Sequence, residues 1–307
     1  MKAPLTLDWS PSRNAYNRLL SRGPVPLEQA WDYGEAVAAV SRNTIRRALV
    51  ARDGVPVAAM QTVERPLPAG FRLVRIVRGP VVPDYVGTEP GEIACTVRTE
   101  YPRLSRTLLF WMPDLTPENA GQALAVVGKR PMTAPYATAW IDLSPGPDEL
   151  RKRLRGNWRN QLQKAEANPP QLRTLSRPAD IDGFIARYAS ERRRLRYRGP
   201  DEALVRHVFE RFGKEAVLLQ AVSSGTPIAA ALFLRHHGSA TYYLSWSGPE
   251  GRQRCASSLL IWHGLLLLKK GGTGWLDLGG LNASAPGVAS FKLGTGAQPR
   301  ITSGTWF

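Results

Sequence analysis

Two stretches of the chain carry the same pattern of apolar and polar positions. Residues 46–63 read RRALVARDGVPVAAMQTV and residues 216–233 read AVLLQAVSSGTPIAAALF. Each is an apolar run, a Gly-containing turn and a second apolar run, the pattern of a β-hairpin. The shared core is Gly54-Val55-Pro56-Val57-Ala58-Ala59 against Gly225-Thr226-Pro227-Ile228-Ala229-Ala230. Asp53-Gly54 and Ser224-Gly225 fall where a hairpin turn needs a positive φ. The proline of each return strand is tolerated only near a strand end or where no ladder donor is required.

The parallel extends beyond the hairpins. A third strand follows each, Arg72 to Gly79-Pro80 and Thr241 to Gly248-Pro249. A helix is predicted next, around 90–104 and 253–269, and then a short strand, Thr107 to Trp111 and Trp275 to Leu278. Helical sequence precedes each hairpin, over 27–40 in the first half and over 178–192 and 201–212 in the second. This agreement of order and spacing predicts an internal duplication. The order matches an α/β (α+β) architecture of two tandem GNAT-like acyltransferase domains, each with a mixed central sheet that splays open to admit an acyl donor. The expected domains are 1–143 and 148–307, joined by Leu143-Ser144-Pro145-Gly146-Pro147. Pro147 suits a first helical position, and Asp148 and Glu149 favour the helix dipole. Leu150, Leu154, Trp158 and Leu162 recur every four residues, with Arg151, Lys152, Arg155 and Arg159 on the other faces. One amphipathic basic helix is predicted there.

Charge sharpens this picture. The net charge is +16, from 41 Lys plus Arg against 25 Asp plus Glu. Between Arg151 and Arg198 stand fourteen basic and four acidic residues. Such a stretch attracts a polyanion and releases its counterions; RNA is the leading candidate, with an anionic membrane surface second and a merely solvated Arg-rich surface as the bland alternative. The longest apolar run, Pro227 to Leu234, is far short of the ~20 residues of a membrane span. No apolar segment of the signal-peptide kind is read in Met1 to Ser10. Cys95 and Cys255 belong to no metal-spacing motif, which fits a reduced, cytoplasmic protein.

Several segments resemble the Fem family of peptidyltransferases, aminoacyl-tRNA-dependent enzymes that extend peptidoglycan side chains. Leu27-Glu28-Gln29-Ala30-Trp31 resembles the family's Gln and Trp entry motif. Val77-Arg78-Gly79-Pro80-Val81 resembles its Arg-Gly-Pro turn, and Asn157 to Ala165 the helix opening the second domain. Leu276-Asp277-Leu278-Gly279-Gly280, followed by Ser290-Phe291-Lys292-Leu293-Gly294, resembles the closing signature. No heptad stretch is present, so the resemblance is to a compact form without a coiled-coil arm. A lysine that often ends the Gln-Trp motif and helps hold a nucleotide-linked muramyl substrate is replaced by Ala36 and Val37. The resemblance therefore leaves the acceptor open between peptidoglycan precursor and another amine.

Transfer of an aminoacyl ester to an amine depends mostly on positioning and on stabilising the oxyanion. With the resemblance, Lys292 is the expected catalytic cation, for the oxyanion or the terminal tRNA phosphate-ribose, and Phe291 packs against the acceptor end or the amine. Strand alternation puts Tyr243 and Ser245 on one face, with Tyr242, Leu244 and Trp246 on the other. Tyr243 and Trp246 are candidate substrate contacts. Arg193 and Arg196, in the run Arg192 to Arg196, are candidate phosphate grips. Asp277 is a candidate base or a loop cap. Arg151, Lys152, Arg155 and Arg159 are the expected tRNA contacts. No metal or cofactor is expected, with aminoacyl-tRNA as co-substrate, a small amine or peptide as acceptor, no stable membrane insertion, and a monomer. The four histidines show no metal spacing, and no Ser-His-Asp, P-loop or dinucleotide pattern appears.

Two other readings stay open. One is an acyl-CoA-dependent N-acyltransferase on the same fold, which needs a Gly-rich pyrophosphate turn before a helix. The segment there is Gly248-Pro249-Glu250-Gly251-Arg252-Gln253-Arg254-Cys255-Ala256, where Pro249 and Glu250 weaken an anion nest. The other is a non-catalytic RNA-binding protein, which would bind RNA and turn nothing over.

Overall fold

Both expected hairpins form, and they match down to their irregularities. In the computed structural model, which describes residues 3–21, 23–83, 89–102, 105–196 and 199–307, Asp53 and Gly54 have φ of 50° and 74°, and Ser224 and Gly225 have 46° and 80°. Two consecutive positive φ values give a turn whose twist suits a hairpin. Arg198 and the end of the helix expected to 104 lie outside the described residues.

The first sheet contains β1 (Leu5–Asp8), β2 (Thr44–Arg52), β3 (Val55–Pro66), β4 (Arg72–Val77) and β5 (Thr107–Met112), in that order. All neighbours are antiparallel except β4 and β5. α1 (Arg13–Leu20) and α2 (Trp31–Ala39) precede β2; α3 (Pro90–Glu100) links β4 to β5, and α4 (Pro117–Ala125) follows. Paired Leu49 and Ala59 pack with Tyr16, Leu19 and Leu20 of α1. Their neighbours Ala48, Val50, Ala58 and Met60 pack with Ile93, Val97 and Leu124 of α3 and α4. With both faces covered, the strands read as nearly continuous apolar runs rather than strict alternation.

The second sheet adds β6 (Tyr136–Asp142), β7 (Gln171–Leu175), β8 (Ala216–Ser223), β9 (Thr226–His236), β10 (Ser239–Ser247), β11 (Trp275–Gly280) and β12 (Gln298–Thr302), in the order β12-β6-β11-β10-β9-β8-β7. Its helices are α5 (Pro147–Lys152), α6 (Gly156–Ala167), α7 (Pro178–Leu195), α8 (Glu202–Phe212), α9 (Pro249–Gln253), α10 (Ala256–Lys270) and α11 (Pro286–Gly294). The run β7 to β11 repeats β1 to β5, including one parallel pair, β10 with β11. Even the bulges correspond. β3 skips a residue between Val50↔Ala58 and Ala51↔Pro56, and β9 does so between Ala221↔Ala229 and Val222↔Pro227. The unpaired residues are Val57 and Ile228, each just after the proline, where the ladder tolerates a missing donor.

Three expectations are corrected. The basic helix is broken: α5 ends at Lys152 and α6 begins at Gly156, with Arg155 extended at φ −65°, ψ 151°. Leu150, Leu154, Trp158 and Leu162 are nonetheless all buried, because the turn between the helices keeps the stripe on one core. Second, Leu143–Pro147 does not separate the compact units. These are Met1–Ala137 with Arg300–Phe307, and Thr138–Pro299. Leu143 is buried beside β6, and its N–H donates to Gly274 O. The last residues rejoin the first unit, where Trp306 exchanges backbone hydrogen bonds with Trp111. Third, the bulge in β10 undoes the alternation assumed for its tyrosines, as described next.

Candidate functional site

The second sheet is open where the first is closed. β10 and β11 pair only at Ser239↔Trp275, Ala240↔Leu276 and Thr241↔Asp277, although β10 continues to Ser247 and β11 to Gly280. Beyond that point the two strands part. Asp277 stands at the apex, paired to Thr241 on one side and to Trp140 of β6 on the other. In the first sheet the corresponding strands stay paired from Arg72↔Thr107 through Val77↔Met112. Arg78 N–H then donates to Met112 O at 2.6 Å, and Trp111 Nε1 to Gly79 O at 2.7 Å.

Gln29, of the Gln-Trp motif, holds a gap between β3 and β4. Its Oε1 accepts from Gln61 N–H at 2.8 Å, while its Nε2 donates to Val77 O at 2.7 Å and Gln61 O at 3.3 Å. A Cβ on Gly79 would meet this amide at 2.6 Å, which explains that glycine. The motif is structural here, as is Trp31, whose ring lies 3.9 Å from the Arg47 guanidinium.

Lys292 lies at the open end of β11. Its Nζ donates to Gly280 O at 2.8 Å, and a Cβ on Gly279 would sit 3.5 Å from it. α11 carries Lys292 toward that strand end, and the positive φ of Gly279, 79°, lets the strand turn beneath it. Burial pushes the Lys292 ammonium below its ordinary 10.5, and the charge of Asp277 offsets part of that shift. Asp277 is 2% exposed, and its Oδ1 accepts from Gly279 N–H at 2.7 Å. That bond gives Asp277 the role of a cap on the strand end.

Phe291 points from another side of α11. Its ring packs against Trp158 of α6, with centroids 6.0 Å apart. Gly294 allows this close approach, since a Cβ there would meet the Trp158 ring at 2.9 Å. Tyr243 is the extra residue of a bulge: β10 pairs with β9 at Tyr242↔Phe233 and next at Leu244↔Leu232. Tyr242 and Ser245 therefore share a face and are hydrogen-bonded, while Leu244 and Trp246 turn to the other. The Arg187 guanidinium lies 5.2 Å from the Trp246 ring centroid. No residue type marks a bulge in advance, so the pairing could not be read from the sequence.

The arginines divide by employment. Arg193 pairs with Glu202 at 3.1 Å, and Arg192 donates to Pro200 O at 2.8 Å. Arg196 is exposed at the left-handed end of α7. Arg151 is ion-paired with Glu166, and Arg159 donates to Lys152 O and Leu154 O, tying α5 to α6. Lys152 is exposed, 3.9 Å from Glu149, and Arg155 is exposed with no ion pair among the described residues. The loop after β10 is committed internally. Arg254 donates to Ser223 Oγ and Asn168 O, both at 2.9 Å, and Arg252 donates to Ser247 O. Gly251 is packed against β9 and β10, where a Cβ would run into Ile228 O and meet Ser247 Oγ at 2.7 Å. His236 ends β9 and is buried, its Nε2 2.9 Å from Thr241 Oγ1. No group of three or more His, Cys, Asp or Glu able to hold a metal occurs among the described residues.

A family model described as an acetyltransferase (GNAT) domain matches residues 152–298. No curated protein sequence matches the chain. Among solved structures, the chain is similar to FemX, with TM-score 0.81 and 14% identity over 97% of this chain and 96% of that one. It is also similar to a tandem GNAT protein from the clavulanic acid biosynthesis pathway, with TM-score 0.57 and 15% identity over 98% and 97%. L-PGS from Bacillus licheniformis gives 0.53 and 13% over 92% and 93%. At these identities the likeness is one of fold. The chain has a tandem GNAT-like fold with two mixed sheets, and the domain match supports an acyltransferase.

Proposed function

We propose that the protein moves an aminoacyl group from a charged tRNA to the amine of a small-molecule or peptide acceptor, forming an amide. The observation that supports this most is Lys292, a half-buried ammonium fixed 2.8 Å from Gly280 O at the end of β11, where the strands part. The amine nitrogen attacks the ester carbonyl carbon, and the carbonyl electron pair moves onto oxygen, which the ammonium stabilises. The intermediate collapses by breaking the ester C–O bond. Lys292 gives a proton to the departing ribose oxygen and regains one from the new amide nitrogen, so charge and protons balance. A pKa lowered by burial brings the lysine closer to the range in which it can do both. Asp277 tempers that shift and orients the strand end.

The donor is read as RNA-borne because the loop that would cradle a pyrophosphate spends its arginines on the protein's own carbonyl and hydroxyl groups. Lys152 and Arg155 supply exposed positive charge at the junction of α5 and α6. The test is incubation with mixed charged tRNA and candidate amines, with acetyl-CoA as control donor, read by mass spectrometry. Deacylation of tRNA coupled to a new amide supports the reading. Consumption of acetyl-CoA alone replaces it with the acyl-CoA alternative, and RNA binding without turnover replaces it with the non-catalytic one.

A further inference from the structure

Beside β1 runs a groove of about 640 Å³ that no step of the reaction above employs. Its walls are β1 and α3, both in the first compact unit. β1 ends its sheet and pairs only with β2 among the described residues. In an antiparallel pair, each strand turns alternate N–H and C=O groups away from its neighbour. On β1 those groups meet no further strand, and such an edge is a template for another chain. The side chains alternate too. Leu5 and Leu7 are half-buried, as is Trp9 after them, and pack on the core cluster that holds Ile93 and Val97 of α3; Thr6 and Asp8 are exposed.

The charged residues lining the groove are Glu92 and Glu100, both acidic, on a chain of net charge +16. Arg52, opposite Leu5 in register, pairs with Glu92 at 2.7 Å. Arg46, whose guanidinium lies 3.9 Å from the Trp9 ring, reaches Glu100 at 3.4 Å. Glu92 therefore marks the Leu5 end of the groove and Glu100 the Trp9 end. Their separation along the α3 axis is about 12 Å. Residues i and i+4 of an extended strand are ~13 Å apart and point to one face. The two oxygens of a carboxylate accept from more than one donor, so each can take an ammonium beside its arginine.

We infer that this edge binds an extended segment of another polypeptide as the next strand of the first sheet. The segment carries Lys or Arg at its first and fifth positions and a small apolar residue at the third, which falls against Leu7 and Cys95. Main-chain hydrogen bonds along β1 hold the segment, and the two carboxylates select its charge. These residues lie outside the machinery proposed for acyl transfer, so the inference stands or falls apart from that reading.

The probe is a fluorescein-labelled peptide, Lys-Thr-Val-Thr-Lys with an amidated end, titrated with the full chain and read by anisotropy. Wild type is expected to bind it and not the matching Glu-Thr-Val-Thr-Glu peptide. Glu92→Gln with Glu100→Gln should weaken binding about tenfold, the sum of two exposed ion pairs. Cys95→Arg is a second variant, at an exposed position where the fold survives the change, and it should block the groove by repulsion and bulk. Backbone N-methylation gives the readout that a mere charge contact would not move. Methylating residues 1, 3 and 5, or residues 2 and 4, blocks opposite edges of the peptide, so only one of the two peptides should lose binding. The inference is overturned if the Lys peptide does not bind, if the Glu peptide binds as well, if Cys95→Arg binds unchanged, or if the two methylated peptides behave alike. A dimer in sedimentation that Cys95→Arg dissociates would make a second copy of this chain the occupant, and would also overturn it.

Discussion

Lys292 is held by one carbonyl and is half out of water, and both facts bear on its behaviour. Removing a single oxyanion-stabilising donor costs ~100-fold to 1,000-fold in turnover. Lys292→Ala should lose that much in kcat while keeping a wild-type circular dichroism spectrum. The pH profile gives a second test. In the proposed reaction Lys292 acts as the ammonium, so activity should be present below its lowered pKa and fall as pH rises through it. The alkaline limb of kcat should therefore lie below 10.5. Lys292→Arg, which stays charged, should abolish that limb without restoring full rate, because a planar fork cannot replace a compact ammonium. Stability carries the opposite sign. The folded protein binds this proton less tightly than the unfolded chain, so the charged form costs stability below the folded pKa, and that cost disappears as pH rises toward 10.5. Lys292→Met at pH 7 should thus show an equal or higher midpoint in urea. A lower midpoint would show that the Gly280 contact stabilises more than burial costs.

At the level of elements, the bonds between α5 and α6 separate charge that holds the fold from charge that remains for a ligand. Lys152→Glu with Arg155→Glu should weaken tRNA binding and reduce its salt dependence by up to ~2 in log–log slope, since each phosphate contact contributes ~0.7–0.9. Arg159→Ala should instead lower stability, because the carbonyls of Lys152 and Leu154 lose their donor. Filter binding over a salt series and urea unfolding distinguish the two classes. The first sheet makes a comparable prediction. Gln29→Ala strips the partners from Gln61 N–H and Val77 O, and each buried group left unpaired costs about 1–3 kcal/mol. The Tm should fall with kcat unchanged. A fall in kcat at unchanged Tm would make Gln29 part of the reaction site.

Over the whole molecule, the run β7 to β11 repeats the strand order of β1 to β5 but not its closure. β4 and β5 remain paired over six residues, whereas β10 and β11 pair over three. The duplicated chain should accordingly bind one donor equivalent, measurable as the amplitude of a single-turnover burst with charged tRNA; an amplitude of two would require a second open site. The hairpins, their turns and the order of elements were legible in the sequence because they rest on local rules: apolar period, positive-φ residues, and prolines where no donor is needed. Lys292 and Phe291 were legible only through the closing motif. Other features had no local cause. The bulge at Tyr243 arises from strand register, and the break before Gly156 is held by carbonyl contacts between helices. Whether an arginine meets RNA or a neighbouring carboxylate depends on what folding brings beside it: Arg151 found Glu166, while Arg155 found no ion partner among the described residues. The sequence by itself determined where strands and helices begin and how the halves repeat. Tertiary structure alone decided that one wedge is closed and the other open, because strand separation depends on pairing between segments more than thirty residues apart, whose energies no local window contains.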